Sequence, residues 1–250
     1  MPQSFWQLLQ EKRWQHFFTS KEDKNAQIAI IRTYTDFNKE KFEQFPKLKL
    51  IIRAGTGYDN IDLAEAKKRE VTVCHTPNAN AISAAEHTIA FIASMVKHQQ
   101  LGKQVIAKYQ WRETIGNSWE FTDLKVLIIG LGRVGYRVAK ILKYLGAQVK
   151  AYDPYLNQKD WQQNQVEEIE LEAGLSWCNL ISFHTPLTSK TYHYFSMEML
   201  NSLQQPFWLV NTARGRVVDI EALKLALHQN KLLGAALDVF PQEPYKMPNF

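Results

Sequence analysis

Residues 125–135 read K-V-L-I-I-G-L-G-R-V-G, an apolar run that leads without a break into three glycines. A run this rich in Val and Ile suits a strand buried on both faces, as in a parallel sheet. From Val134 to Leu145 apolar residues recur at helical spacing, so the glycines stand at a turn from strand to helix. Each has a task there. Gly130 allows the tight turn, Gly132 lets a diphosphate approach the backbone, and Gly135 lets helix and strand pack closely. The helix start adds unpaired N–H groups and partial positive charge, which suit phosphate. Asp153 closes the next strand in K-A-Y-D-P, 23 positions after Gly130. Sheets that bind dinucleotides place their ribose-binding acid at a spacing of about 20 residues. A carboxylate there accepts from both ribose hydroxyls and repels a 2′-phosphate, so the pattern predicts NAD rather than NADP.

Outward from this turn the chain alternates strands and helices. Further strands are expected at 148–152, 180–184, 207–211 and 233–239, with a helix at 220–228 between the last two. Upstream, strands are expected at 27–31, 48–52 and 71–73, with a polar stretch between the first two that could form a helix reaching Phe45. A long apolar helix follows the breaker-rich T-P-N-A-N of Thr76 to Asn80, its start marked by a Ser83/Glu86 capping box. Residues 5–18 have the spacing of an amphipathic helix, and 99–122 read as an irregular connector. The fold class is therefore α/β: a Rossmann-type, doubly wound parallel sheet in 99–250, preceded by a smaller α/β domain in 1–98.

Composition narrows the function classes. Hydrophobic residues make up 45% and charged residues 22% of the 250, an ordinary globular balance. The net charge of +5 is scattered without a basic run, which argues against a nucleic-acid partner. No stretch approaches the roughly 18 apolar residues needed to span a bilayer, and no signal peptide is evident at the start, so the reading is soluble and without a membrane partner. Cys74 and Cys178 stand far apart with no metal-ligand spacing, so neither a disulfide framework nor a metal site is expected; a reducing cytoplasm fits.

Arg53 to Asp62 read R-A-G-T-G-Y-D-N-I-D, where Gly55 and Gly57 allow sharp turns and leave amides exposed, a loop that can hold a carboxylate. With this loop stand T-P-N-A-N-A-I-S-A-A-E, the glycine turn with K-A-Y-D-P, H-T-P-L-T, V-N-T-A-R-G-R-V-V-D and A-L-D-V-F-P-Q-E-P. Together, in this order, they resemble the D-isomer-specific 2-hydroxyacid dehydrogenases, above all the phosphoglycerate dehydrogenase type. The resemblance implies a flavodoxin-like substrate domain, incomplete here, ahead of the NAD-binding domain. It also implies hydride transfer at the cleft between the domains, linking NAD with a small 2-hydroxy or 2-oxo acid such as 3-phosphoglycerate, in a homodimer joined through residues 99–122.

The resemblance also assigns residues. Arg214 is the arginine whose guanidinium fork grips the substrate carboxylate and polarises the 2-oxo group. Glu243 is the acid that orients a catalytic histidine and raises its pKa. Gly55, Thr56 and Gly57 offer amides to the substrate carboxylate, with Arg53 adding charge for a phosphorylated substrate. Thr76, Arg133, Val134, Thr185, Thr212, Ala213 and Arg214 line the cofactor site beside Gly130, Gly132, Gly135 and Asp153, with Asp238 near the nicotinamide end. His184 faces the cofactor without transferring protons, and His75 and His87 are peripheral. The family's proton donor lies in a T-P-H segment after the E-P motif; no such segment follows Glu243. Two readings stay open: an enzyme read over part of its length, or a catalytically impaired NAD-binding regulatory or interaction protein.

Overall fold

The computed structural model describes residues 23–33, 35–111 and 118–243. The helix expected at 5–18 lies outside them. The chain forms two compact units, Met1–Pro77 and Asn78–Phe250.

In the first unit, β1 (Ile28–Ile31), β2 (Leu50–Arg53) and β3 (Thr72–His75) form a parallel sheet in that order. The helices α1 (Lys39–Gln44) and α2 (Leu63–Lys68) connect them. Side chains alternate across a strand, so Ile31 and Ile51 join Phe37, Phe42, Leu48 and Ile61 in one core. Ile28 and Ile30, which point to the opposite face, are each 38% exposed. Register sets Ile28 beside Leu50 and Ile30 beside Ile52.

The second unit opens with α3 (Ala81–Val96) and α4 (Gln99–Ala107). Then come β4 (Lys125–Ile129), α5 (Arg133–Tyr144), β5 (Gln148–Tyr152), α6 (Gln158–Asn164), β6 (Glu167–Glu168) and α7 (Leu171–Trp177). The chain continues through β7 (Leu180–Phe183), α8 (Met197–Ser202), β8 (Phe207–Asn211), α9 (Ile220–His228) and β9 (Leu232–Leu237). The six strands are all parallel, in the order β6-β5-β4-β7-β8-β9. Two cores flank this sheet. Val126 and Ile128 point into the one shared with Val138 and Leu142 of α5, and Leu127 and Ile129 into the one shared with Leu175, Leu200 and Ala222. The apolar run of β4 thus exists because both of its faces are covered, each buried Val, Leu or Ile contributing about 1.5–3 kcal/mol.

Three expectations need correction. The long helix begins at Ala81, after Asn80, so Ser83 and Glu86 lie inside its first turns and form no capping box. The stretch 99–122 is not irregular throughout. Val105 turns into the protein at 5% exposure, and this helical burial outweighs the breaker Gly102, so Gln99–Ala107 is helix. His98, at φ 50, makes the bend between the two helices. The units divide between Pro77 and Asn78, not between 98 and 99. The reason is that α3 buries Ala85, Ile92 and Val96 in the core of the six-stranded sheet.

If α3 belongs to that core, Ile92→Ala should remove about 2–5 kcal/mol from the second unit's stability in urea unfolding followed by tryptophan fluorescence. A loss below about 1 kcal/mol would place the helix elsewhere.

Candidate functional site

The carboxyl ends of β4, β5, β7, β8 and β9 carry the polar residues expected of a site, and each end is built differently. After β4 the backbone turns at Gly130, φ 92, where a Cβ would lie 2.9 Å from the His184 carbonyl oxygen. Gly135, one turn into α5, sits so close that its Cβ would fall 2.0 Å from the Gly130 oxygen. Around Gly132, by contrast, a Cβ would meet nothing within 4 Å. The tip of the turn is therefore open while its base is closed. Arg133, Val134 and Gly135 supply first-turn N–H groups, the first intrahelical bond running from Tyr136 N–H to the Gly132 oxygen at 2.9 Å.

Asp153 faces this turn. Its Oδ2 accepts from Leu131 N–H at 2.9 Å and its Oδ1 from Tyr155 N–H at 3.0 Å. Each carboxylate oxygen offers two lone pairs, which leaves capacity for sugar hydroxyls beside the turn. At the end of β7, His184 Nε2 pairs with Ser182 Oγ at 2.8 Å, and burial pushes its imidazole down from 6.5 to about 3. The ring therefore stays neutral at physiological pH. The Thr185 hydroxyl next to it is buried without a hydrogen-bond partner, and its methyl would stand 3.0 Å from a Cβ on Gly130.

The turn after β8 is pinned by Asn211, which is fully buried. Its Oδ1 accepts from Ala213 N–H at 3.0 Å and its Nδ2 donates to the Arg214 carbonyl at 2.9 Å. Thr88 on α3 donates to the Ala84 carbonyl, so in its 2.8 Å contact with Thr212 it is the Thr212 hydroxyl that donates. Gly215 allows the backbones to touch: a Cβ there would lie 2.0 Å from the Phe240 carbonyl carbon. This brings the turn holding Arg214 against the segment that leads to Glu243, whose Oε1 accepts from Phe240 N–H at 3.0 Å. Asp238 N–H donates to the Asn211 oxygen at 3.0 Å, and its Oδ1 meets His87 Nε2 at 3.2 Å.

In the first unit, Gly55, Thr56 and Gly57 form a turn held from behind. Thr76 N–H donates to the Gly55 oxygen at 3.1 Å, His75 Nδ1 lies 2.8 Å from the Thr56 oxygen, and Thr56 Oγ1 donates to the Pro77 oxygen at 3.4 Å. Arg53, expected to add charge for a phosphorylated substrate, is turned inward. It is 7% exposed and donates to Thr33 Oγ1 at 3.0 Å. Its guanidinium fills the space beneath Gly55, where a Cβ would fall 1.7 Å from Nη1. Among the described residues no group of three His, Cys, Asp or Glu stands close enough to hold a metal.

Four residues at these ends had no role in the sequence reading: Asn211, Gly215, Thr88 and His87. Asn211 had a signal, an amide closing an otherwise apolar strand, where Asx chemistry organises the following turn. The other three act across long sequence separations, which spacing does not reveal.

An open glycine tip, a facing carboxylate and this strand order define a dinucleotide-binding α/β domain. Residues 89–250 match the model for the NAD-binding domain of the D-isomer specific 2-hydroxyacid dehydrogenases. D-3-phosphoglycerate dehydrogenase of Bacillus subtilis is 35% identical over 86% of the chain and 41% of its own length. Glyoxylate reductase of Thermofilum pendens is 35% identical over 89% of the chain and 66% of its own length. The crystal structure of D-lactate dehydrogenase from Aquifex aeolicus with NAD and lactic acid superposes with a TM-score of 0.86, at 32% identity, covering 97% of the chain and 76% of that protein. The chain belongs to the D-isomer-specific 2-hydroxyacid dehydrogenase family, and its second unit is an NAD-binding domain. It spans about two fifths of the length of the phosphoglycerate dehydrogenases it matches. The open tip at Gly132 and the unpartnered Thr185 hydroxyl fit NAD.

Gly132→Ala should fold with wild-type stability yet lose most NADH binding in a fluorescence titration. Gly135→Ala should instead lose about 1–3 kcal/mol in urea unfolding; equal behaviour of the two would contradict this division of roles. His184 carries a pH prediction. Its folded value lies below its unfolded one, so its contribution to stability is complete above about 6.5 and declines as pH falls toward about 3. His184→Asn should flatten that part of the stability profile, and an unchanged profile would assign the slope to other groups.

Proposed function

We propose that the chain works as an NAD-dependent oxidoreductase, moving hydride between NAD(H) and a small 2-hydroxy or 2-oxo acid. The observation that carries this reading is Asp153 bonded to the open glycine turn, with Arg214 held at the end of β8 by a buried amide. When bound, NAD accepts or supplies the hydride. The chain's part is to hold and orient. The first turn of α5 and Thr185 hold the diphosphate region, and Asp153 holds the adenosine sugar. Thr76, Thr212, Ala213 and Asp238 line the remainder, and the amides of Gly55, Thr56 and Gly57 receive the substrate carboxylate.

Arg214 grips that carboxylate and polarises the 2-oxo group, while Glu243 is the acid of an acid–imidazole pair. Arg53, enclosed beneath the turn, acts by setting the shape of the Gly55 loop. The phosphoglycerate dehydrogenases among the relatives favour 3-phosphoglycerate as the acid. Homodimer formation through 99–122 is supported by Ile106, Tyr109 and Trp111, exposed at 73%, 100% and 69%. Cytoplasmic residence is supported by two free cysteines. None of the described helices is long and apolar enough to cross a membrane.

The test mixes the chain with NADH and glyoxylate, pyruvate or 3-phosphohydroxypyruvate and follows loss of NADH absorbance. Turnover is expected with at least one acid. Arg214→Lys should lower kcat/KM on the order of a hundredfold, because an ammonium cannot reproduce the planar fork. Asp153→Ala should weaken NADH binding by about tenfold or more. NADH binding without turnover of any acid would overturn the oxidoreductase reading, and binding indifferent to Asp153 would overturn the cofactor geometry.

A further inference from the structure

The contact between His87 and Asp238 has no part in the roles assigned so far. His87 lies in the second turn of α3 and Asp238 just beyond β9, 151 residues apart, with Nε2 3.2 Å from Oδ1. The imidazole is also packed on Phe91, ring centres 4.3 Å apart. Both side chains are about half exposed, at 47% and 48%. Strand order places this pair. Asp153 at the end of β5 takes the adenosine side and the glycine turn sits at β4, so a bound dinucleotide extends toward β7, β8 and β9. Asp238 stands on that far, nicotinamide half.

The nicotinamide ring is cationic in NAD+ and neutral in NADH. A lone Asp238 carboxylate on that side favours the cation, whereas a carboxylate paired with a protonated imidazole presents no net charge. We infer that His87 tunes the charge Asp238 shows to the nicotinamide, so that the preference for oxidised over reduced cofactor rises with pH. The inference rests on the NAD-binding reading of the second unit. Its sign follows from linkage: NAD+ repels the proton on His87, so bound NAD+ disfavours the protonated ring and gains affinity as that proton leaves. Proton exchange with solvent is the only chemistry required.

Charged groups also stand on the neighbouring elements, Arg133 and Lys140 of α5 among them. Glu86 is the neighbour of His87 on α3. Arg214, on the turn after β8, is folded onto the Ala213 carbonyl at 2.7 Å. On α5, Arg137 is folded onto the Arg133 carbonyl at 2.8 Å. Carboxylates and guanidinium groups keep their charge near neutral pH. His184, the imidazole at the end of β7, is held near 3 by burial and does not change charge there.

The experiment measures dissociation constants of NAD+ and of NADH for the full chain by calorimetry, from about pH 5.5 to 8.5, the range in which imidazoles titrate. In the wild type the ratio of the NAD+ constant to the NADH constant should fall about five- to tenfold across this range, the effect of one partly solvated charge several ångströms away. His87→Gln keeps an N–H donor for Asp238 but carries no titrating charge. Its ratio should stay at the wild type's high-pH value throughout. A purely structural His87 would leave the variant following the wild-type slope, and that result, or a flat wild-type ratio, overturns the inference while leaving cofactor binding intact. Failure of both nucleotides to bind at every pH would overturn the cofactor reading together with it.

Discussion

The approach of Gly135 to the Gly130 carbonyl governs much of the second unit. With a Cβ position only 2.0 Å from that oxygen, α5 can seat against the end of β4 only because the side chain is missing. The seat aims the helix N-terminus across the top of the sheet, and the Leu131 amide comes within 2.9 Å of Asp153. The open tip at Gly132 and the position of Asp153 beside it thus follow from one packing constraint, since both depend on where the turn ends relative to β5. Burial of Val138, Ala139 and Leu142 then holds the helix in that position.

The opposite half of the site is assembled by polar pins. Asn211 spends both ends of its amide on the turn that follows it, and Thr88 and His87 reach from α3 to Thr212 and Asp238. A fully buried amide with both groups bonded specifies one turn conformation, since any other would leave them unsatisfied. The helix α3 therefore does two things at once. Its apolar side builds the core with α5, and its polar side fixes the ends of β8 and β9.

Much of this was legible in the chain itself. The strand at 125–129, the three glycines and Asp153 were readable because each obeys a local rule: burial on both faces, freedom at a turn, a fixed distance to an acid. The helix Ile220–His228 and the strands at 148–152 and 207–211 follow from the same periodicity. What local rules could not show is tertiary. Ser83 and Glu86 have the spacing of a capping box, yet the chain leaves the T-P-N-A-N turn already helical at Ala81, which is itself buried. The helix at 99–107 is set by burial of Val105, which no composition count weighs against a glycine. The motif marks Arg53 as a charge for substrate, but it cannot show that the guanidinium packs under Gly55.

Gly215 has a further consequence for how such a scaffold can diversify. Its bare α-carbon lets the Arg214 turn lie directly on the Phe240–Pro241 backbone, so the stretch bearing Glu243 cannot be re-aimed without dragging the arginine along. The Gly55 loop, carried by the other compact unit, is not tied to this contact. Redesign can treat the β8–β9 rim as fixed framework and vary Thr56 and Tyr58, keeping Gly55, whose side-chain space is filled by Arg53.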